Sequence, residues 1–276
     1  MDRFRLPSEI PEEEWPRPEA FIEEAQACVQ AAADQGLILR VMGGLAIFLH
    51  SQEHRELWEK LGRLGKKIFT DIDYVAYGKH RVKMIKFFQN RGFVINQKML
   101  YHYGKTRQIY YGQKIPMAEV FYDQMHFNHP ISFKKRLEQD YPTFPLAELL
   151  LQKLQMVRMN EKDIKDAIVL LRAHELGSDD ANRINKTRIA DVLCRDWGFF
   201  YTATENLRKI RSTLDSYSAV RAEDEKVIEQ RIDELLGYLE VQQKGLKWRT
   251  RAIIGTKVKW YNEVDEWDVI ASQAEE

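Results

Sequence analysis

The chain has few of the features that would place it outside the cell or in a membrane. Its 276 residues include two cysteines, Cys28 and Cys194, which lie far apart and lack the short spacing of a zinc site. This argues against a disulfide framework and against structural zinc. No apolar run approaches the roughly 20 residues needed to span a bilayer, and residues 1–15 lack the apolar stretch of a signal peptide. We therefore expect a soluble, cytoplasmic protein with no membrane partner.

The chain also lacks net charge, because 42 basic residues balance 42 acidic ones. The total therefore favours no particular class of partner, although a local charged patch stays open. Apolar residues make up 44% of the chain, which is enough for a sizeable core. This length suits one large domain or two ordinary ones.

The residue pattern divides the chain into three parts. Residues 1–18 carry four prolines and several acids, which predicts an extended arm. Residues 19–145 alternate between helical and strand patterns, which predicts an α+β (α/β-like) core with a small mixed β-sheet flanked by helices. Residues 146–276 have helical patterns, which predicts an all-helical C-terminal region, and we place the boundary near residues 140–146.

Turn residues and apolar spacing give the approximate limits of each element. The predicted helices cover Pro18–Gln35, Leu45–Leu64, His80–Arg91, Leu146–Met159, Glu161–Glu175, Thr187–Asp196, Thr202–Ser216 and Ala222–Gln243. The predicted strands cover Leu37–Met42, Ile68–Ala76, Phe93–Ile95, Gln108–Tyr111, Met117–Tyr122 and His126–Phe133. The helix His80–Arg91 is basic and amphipathic.

Two short segments carry the strongest chemical signal. Gly43-Gly44 follows the first predicted strand and precedes a helix, so its N–H groups and the helix dipole can face one anion. Thr70-Asp71-Ile72-Asp73 lies in the second predicted strand, where residues two apart point to the same face. Two carboxylates on one face of an apolar strand repel each other, and a bound cation removes that cost. Each segment alone also fits a simpler role, as a tight turn or as an acidic edge strand.

A third carboxylate lies in the later strand Met117–Tyr122. Glu119 is in the middle of this apolar strand and needs a partner, which a metal or a salt bridge across the sheet would provide. Asp123 falls on the same face at the end of the strand and is the alternative third acid.

One lysine falls on an apolar helical face. Lys153 shares a stripe with leucines, so it either extends outward or meets a fixed anion, which would be a triphosphate or an aspartate. Asn160 is expected to cap the following helix. Asp163 lies three residues later, which suits capping and dipole stabilisation first and a nucleotide contact second.

Together these segments resemble the DNA polymerase β-type nucleotidyltransferase superfamily. Its members carry a Gly-Gly or Gly-Ser pair, then an acid, an apolar residue and a second acid, and a third acid in a later strand. Within it, the chain is most similar to the branch that includes the abortive-infection (AbiEii-like) toxin nucleotidyltransferases. The matching residues are Gly43-Gly44-Leu45-Ala46, Thr70-Asp71-Ile72-Asp73, Lys153 and Lys162-Asp163-Ile164-Lys165-Asp166.

The resemblance covers roughly residues 36–172 and departs from the compact pattern in two ways. There are 26 residues between Gly44 and Asp71, which fits a longer helix than in the smallest members. The third acid is Glu119, where aspartate is commoner. Beyond about residue 180 the chain carries no family signal.

The resemblance implies a Mg²⁺- or Mn²⁺-dependent transfer of a nucleotide from an NTP to an acceptor hydroxyl. The implied catalytic and metal-binding residues are Asp71, Asp73 and Glu119, with Glu119 also accepting the proton of the acceptor. The implied nucleotide-binding residues are Gly43, Gly44, Thr70, Lys153 and Asp163. The acceptor would be RNA or tRNA, a protein side chain or a small molecule, and an antitoxin-like protein is an implied partner.

Other interpretations remain open. The fold could bind a nucleotide without transferring it, or the C-terminal helices could act as an interaction surface. The tail from Trp248 to Trp267 mixes basic and aromatic residues, which suits either a nucleic acid or a helix whose tryptophans pack against the body. His126 and His129 lack nearby ligands and do not predict a metal pair.

Overall fold

A computed structural model describes residues 6–63 and 68–264. Three predicted features extend outside them: the start of the arm, the end of the predicted helix Leu45–Leu64, and residues 265–276. The helices are α1 Pro18–Asp34, α2 Gly43–His50, α3 Arg55–Lys60, α4 Arg81–Asn90, α5 Gln97–Tyr103, α6 Leu146–Leu154, α7 Glu161–Ala173, α8 Lys186–Leu193, α9 Trp197–Thr213, α10 Ala222–Val241 and α11 Leu246–Ile254. The strands are β1 Leu39–Val41, β2 Ile72–Ala76, β3 Val94–Ile95, β4 Arg107–Tyr111, β5 Met117–Tyr122, β6 Gln124–His126, β7 Pro130–Ser132, β8 Leu176–Gly177 and β9 Ile184–Asn185.

The main sheet has the order β1-β2-β5-β4-β3. The central pair β2–β5 is parallel, and the other three pairs are antiparallel, so the sheet is mixed. Helices pack around this sheet and a helical region follows it, which confirms the predicted α+β class. One hydrophobic core runs through both parts of the chain, from Phe21 in α1 to Leu239 in α10. The proposed boundary near residues 140–146 stays a prediction.

The two faces of the sheet have different neighbours. On one face, the Phe88 ring of α4 stacks on Tyr110 and packs against Tyr74, both of which are fully buried. The register pairs Asp73 with Glu119 across β2 and β5, so both point to the other face. The acidic residues therefore lie on the face opposite α4.

Helix α6 connects the helical region to the sheet. All nine of its residues are buried, including three polar ones. Each of these has a partner, as buried polar groups require: Glu148 pairs with Arg136 and Arg188, Gln152 accepts the Gly43 N–H, and Lys153 pairs with aspartates of α7. Lys153 and Gln152 therefore point toward the predicted site and not into solvent.

The structure corrects several predicted elements between residues 1 and 104. The arm is not wholly extended, because it contains 3₁₀ turns at Pro7–Glu9 and Glu12–Glu14, and the Trp15 indole donates to the Phe69 carbonyl. The predicted helix Leu45–Leu64 is divided into α2 and α3 by a 3₁₀ turn. Helix α5 was not predicted; the Asn96 side chain caps it by accepting the Met99 N–H.

Three more corrections fall in the second half of the chain. The predicted strand His126–Phe133 is wrong, because β6 and β7 form a hairpin whose turn includes Asn128 and His129. The predicted all-helical C-terminal region also contains the short parallel pair β8–β9. Helix α6 ends at Leu154, earlier than the predicted Met159. Among the described residues, no helix combines the length and apolar character that crossing a membrane requires.

Candidate functional site

A cavity beside the N-terminus of α2 brings together four of the residues singled out by the sequence. These are Gly44, Thr70, Asp71 and Asp73. The remaining lining residues are Met42, Leu45, Arg63 and Phe69. Because β2 begins at Ile72, Thr70 and Asp71 precede the strand and do not lie within it as predicted. The Thr70 hydroxyl lies 3.3 Å from Asp71 Oδ1.

Gly43 shapes this cavity by allowing the carboxylate of Asp73 to approach the backbone. Its φ angle is +70°, and a Cβ atom at this position would lie 2.6 Å from Asp73 Oδ2. Glycine is therefore required both by the left-handed conformation and by the contact. The Gly43 N–H donates to Gln152 Oε1 at 3.2 Å, so this amide is engaged by α6. Gly44 lines the cavity itself.

The two aspartates suit a divalent cation. Mg²⁺ is held in proteins by one or two carboxylates, with its other ligands supplied by substrate phosphates and water. Asp71 and Asp73 line the same cavity, so they meet this requirement. Among the described residues, no group of three or more His, Cys, Asp or Glu side chains is arranged to hold a metal ion. The fit is therefore to a site of two carboxylates completed by substrate.

Glu119 lies next to Asp73 but is engaged by an arginine. The register places it opposite Asp73 on the neighbouring strand, and its side chain is 4% exposed. The Arg107 guanidinium forms an ion pair with its carboxylate, including a hydrogen bond of 2.9 Å to Oε2. The salt bridge across the sheet, one of the two alternatives for this residue, is thus present. Asp123 lies at the far end of β5, where its Oδ1 accepts the Gly78 N–H at 2.9 Å.

Lys153 forms ion pairs with two aspartates, which is one of the alternatives that the sequence analysis gave for this residue. Its amino group lies 2.9 Å from Asp166 Oδ2 and 3.1 Å from Asp163 Oδ1. Asp166 also accepts from Arg63 Nε at 2.7 Å, and Arg63 lines the cavity. The backbone N–H of Asp163 donates to the Asn160 side chain, which confirms the predicted cap. We call Arg63, Lys153, Asp163 and Asp166 the charge cluster.

Lys153 and Asp166 are the buried members of the charge cluster, and Arg63 and Asp163 are half-buried. Burial opposes the charge of Asp166, but Arg63 and Lys153 outweigh it and hold the pKa of this carboxyl below its ordinary value. Burial likewise opposes the charge of Lys153, but Asp166 and Asp163 raise its pKa. Since the folded pKa of Asp166 lies below the unfolded value, its pairing stabilises the fold at neutral pH and is lost as the pH falls through the folded pKa.

Replacing Lys153 with methionine should destabilise the protein by about 3–5 kcal/mol, because it leaves the buried Asp166 carboxylate short of a partner. The free energy of unfolding in urea measures the effect. Glu161→Gln is the control, since Glu161 is exposed and its i,i+4 pair with Lys165 lies within α7, so its loss should cost under about 1 kcal/mol. A Lys153→Met protein as stable as the control would contradict this account of the cluster.

Arg63 is a charged residue of the site that the sequence analysis missed. It follows α3 and precedes the undescribed residues 64–67, so no periodic pattern singles it out. Its guanidinium lies close to Gly44: a Cβ atom on Gly44 would be 2.7 Å from Arg63 Cζ. One signal was available, because Asp166 on the apolar face of a helix requires a cation, and Lys153 alone need not satisfy both oxygens.

The C-terminal tryptophans pack against the body, as one of the two interpretations of the tail expected. Trp248 packs edge-on against Phe200, and the Trp260 indole donates to the Thr202 hydroxyl. Trp267 lies outside the described residues. His129 also contacts Thr202 and is buried, whereas His126 is exposed, so these two histidines do not share a site.

Comparison with known proteins gives a structural likeness. No family model matches the chain, and no curated protein matches it. A solved structure, described as that of an antigenic nucleotidyltransferase-like protein from Paracoccidioides brasiliensis, is similar at 16% sequence identity. The likeness covers 73% of this chain and 93% of that chain, with a TM-score of 0.41. The nucleotidyltransferase-like description belongs to that protein, and for this chain the evidence lies in its own residues.

Proposed function

We propose that this protein is a metal-dependent nucleotidyltransferase that moves a nucleotide from an NTP to an acceptor hydroxyl. The observation that carries the proposal is the approach of Asp73 to Gly43 at the start of α2, with Asp71 lining the same cavity. A helix N-terminus attracts an anion, and a pair of carboxylates attracts a cation. A phosphate chain with its bound cation therefore suits both groups.

The phosphate chain is assigned to the side of the cavity formed by Gly44 and Arg63. The N-terminus of α2 favours negative charge there, and the planar guanidinium of Arg63 suits bidentate contact with phosphate oxygens. Asp166 holds the Arg63 guanidinium in place by accepting a hydrogen bond from Arg63 Nε. In this assignment, Asp163 pairs with Lys153, Lys153 pairs with Asp166, and Asp166 in turn positions Arg63.

The cation is assigned to Asp71 and Asp73, with Thr70 positioning Asp71 through its hydroxyl. Mg²⁺ or Mn²⁺ bound there would neutralise the phosphates and stabilise the charge that develops during transfer. Both carboxylates line one cavity, and the one or two carboxylates by which proteins usually hold Mg²⁺ are thus present.

In the transfer step, the acceptor hydroxyl oxygen forms a bond to the α-phosphorus of the NTP. The bond from this phosphorus to the oxygen that bridges the α- and β-phosphates breaks, and pyrophosphate leaves with the bonding pair. The hydroxyl proton passes to Glu119, the third acid, once Arg107 releases this carboxylate. Arg107 has a second partner available, since its guanidinium lies 5.1 Å from the centre of the Phe121 ring.

The match of Lys153 and Lys162-Asp163-Ile164-Lys165-Asp166 to the abortive-infection branch supports a toxin-like role with an antitoxin-like partner. One observation favours a second candidate, a module that binds a nucleotide without transferring it. Glu119 is ion-paired, and a carboxylate beside a guanidinium accepts a proton less readily.

A transfer assay tests the proposal. The protein is incubated with Mg²⁺ and each α-³²P-labelled NTP, with total cellular RNA and protein as acceptors, and a parallel sample contains EDTA. Label that moves to an RNA or protein band, and that EDTA prevents, is the expected result. Mg²⁺-dependent NTP binding in calorimetry without any transfer would favour the binding module. Neither transfer nor binding would overturn the proposed site.

A further inference from the structure

One segment of this electrically neutral chain is strongly basic. From Tyr74 to Ala118 there is no aspartate or glutamate, while nine lysines and arginines occur. The segment directly follows Asp73 and ends immediately before Glu119. Charge in this part of the sequence is therefore separated, with acids at the candidate site and cations in the 45 residues between them.

In the fold, the segment contributes strands to the sheet and two of the helices beside it. It includes most of β2, then α4, the edge strand β3, α5 and β4. Helix α5 packs beside β4, and the Arg81 guanidinium of α4 donates to the Lys105 carbonyl at 2.9 Å. This bond joins the start of α4 to the chain that enters β4. Arg81 of α4 and the exposed Lys105 are thus neighbours on the surface.

Some of the nine cations are neutralised and others are not. Arg91 and Lys114 pair with Glu24 of α1, and Arg107 pairs with Glu119. Lys79, Lys83, Lys86 and Lys105 are exposed and form no ion pair with the described residues. Two carboxylates border this area, but neutral donors hold them: Asp123 accepts the Gly78 N–H, and Glu138 accepts the Tyr77 hydroxyl.

The positive charges are close enough to affect one another. Partial burial, followed by the charges of Lys79 and Lys83, lowers the pKa of His80. Helix α4 has no acidic residue in its first turn and begins with Arg81, although positive charge at a helix N-terminus is unfavourable. A bound anion offsets this unfavourable interaction between the positive charges and the helix N-terminus.

The area also presents aromatic rings to solvent. Tyr101 of α5 is 84% exposed, and the neighbouring His102 ring packs against it edge-on with 5.0 Å between centroids. An exposed tyrosine in a segment rich in lysine provides a ring on which an unstacked base can lie. An acidic peptide would use the cations but would have no use for the ring.

We propose that this area binds a single-stranded nucleic acid. We call it the basic surface and define it by Lys79, Arg81, Lys83, Lys86, Tyr101 and Lys105. The proposal goes beyond nucleotide transfer, because binding requires neither the aspartates nor an NTP. Arg107 follows Lys105 by two residues and pairs with Glu119 beside Asp73. Helix α4 and the acidic residues lie on opposite faces of the sheet, so binding at the basic surface is separate from the cavity.

The test is fluorescence anisotropy with a fluorescein-labelled single-stranded RNA 20-mer of mixed sequence, measured over a range of salt concentrations without NTP or Mg²⁺. The surface variant is Lys83→Glu/Lys86→Glu/Lys105→Glu. The matched control is Lys226→Glu/Lys247→Glu/Lys257→Glu, which changes three exposed lysines of the C-terminal region and has the same net charge. Circular dichroism and thermal melting verify that both variants fold.

We expect the surface variant to bind at least about tenfold more weakly and its salt slope to fall by about two, since each phosphate contact with a single strand contributes about 0.7. The control variant and Asp71→Asn/Asp73→Asn should bind within about threefold of the wild type. Equal losses in both lysine variants, or no RNA binding by the wild type, would overturn the proposal without affecting the proposed transfer site.

A second variant separates a nucleic acid from other polyanions. Tyr101→Ala should weaken RNA binding about fivefold or more through lost stacking, with no change in competition by inorganic polyphosphate. If poly-glutamate competes as well as RNA does and Tyr101→Ala has no effect, the surface binds acidic chains in general and the nucleic-acid assignment is wrong.

Discussion

Exchange of both Asp71 and Asp73 for asparagine should lower nucleotidyl transfer by at least about a thousandfold. The substitution keeps the size of both side chains but removes the two negative charges that line the cavity. If a metal held there stabilises the transition state by several kcal/mol, its loss corresponds to this factor, because each 1.4 kcal/mol changes the rate about tenfold. The label-transfer assay measures the rate, and calorimetry measures Mg²⁺-dependent NTP binding.

The matched control is Asp123→Asn. Asp123 is the alternative third acid, but it lies at the far end of β5 and its carboxylate accepts the Gly78 N–H, a bond that the asparagine oxygen keeps. Its positive φ of 61° is also well tolerated by asparagine. Activity should therefore stay within about twofold of the wild type. A double aspartate variant as active as this control would show that the two carboxylates do not hold a catalytic metal.

Glu119→Gln distinguishes two roles for this carboxylate in the proposed transfer. If Glu119 accepts the proton, the variant should lose transfer while keeping NTP binding. If the ion pair with Arg107 is purely structural, the variant should lose stability and transfer in proportion. Measuring unfolding and transfer on the same preparations separates these results.

The residues of the candidate site could be predicted from the sequence because their signals are local. Gly43 marks a strand-to-helix junction, and Asp71 and Asp73 are two residues apart beside a strand. Strand β5 was predicted with its observed limits, Met117–Tyr122, because proline and glycine precede it and apolar residues fill it. The choice between Glu119 and Asp123 needed the register of β2 against β5, which is a long-range property.

The errors in the predicted elements also arise from long-range contacts. The apolar spacing of α6 continues past Leu154, but the Asn206 side chain donates to the carbonyls of Leu154 and Met156, and Asn128 accepts the Val157 N–H. These distant side chains replace the helical hydrogen bonds and end the helix early. No local pattern contains that information.

The role of Arg63 and the ion pair of Glu119 could not be predicted from the sequence for the same reason. Arg63 is a single cation after a short helix, and its role depends on Asp166, which is 103 residues away. The partner of Glu119 is Arg107 on the adjacent strand, diagonal to it in the register. The sequence left the metal and the salt bridge open for Glu119, and tertiary structure was needed to identify the arginine.

Gly43→Ala should lower transfer at least about a hundredfold, and Gly36→Ala should leave it unchanged. The two glycines have nearly the same conformation, with φ of +70° and +68°, so alanine strains both backbones about equally, by roughly 1–2 kcal/mol. They differ in their surroundings, because a Cβ atom at Gly36 would meet nothing within 4 Å, whereas at Gly43 it would lie 2.6 Å from Asp73 Oδ2. Only Gly43→Ala must therefore displace the carboxylate.

A displacement of about 1 Å in a reacting group commonly costs a hundredfold in rate, which sets the expected size of the effect. Thermal unfolding of both variants measures the shared backbone strain, and the transfer assay measures what is specific to Asp73. Equal activity in the two variants at matched stability would mean that the approach of Asp73 to Gly43 has no catalytic role. A loss confined to Gly43→Ala would tie activity to this one contact, since the conformational cost is common to both.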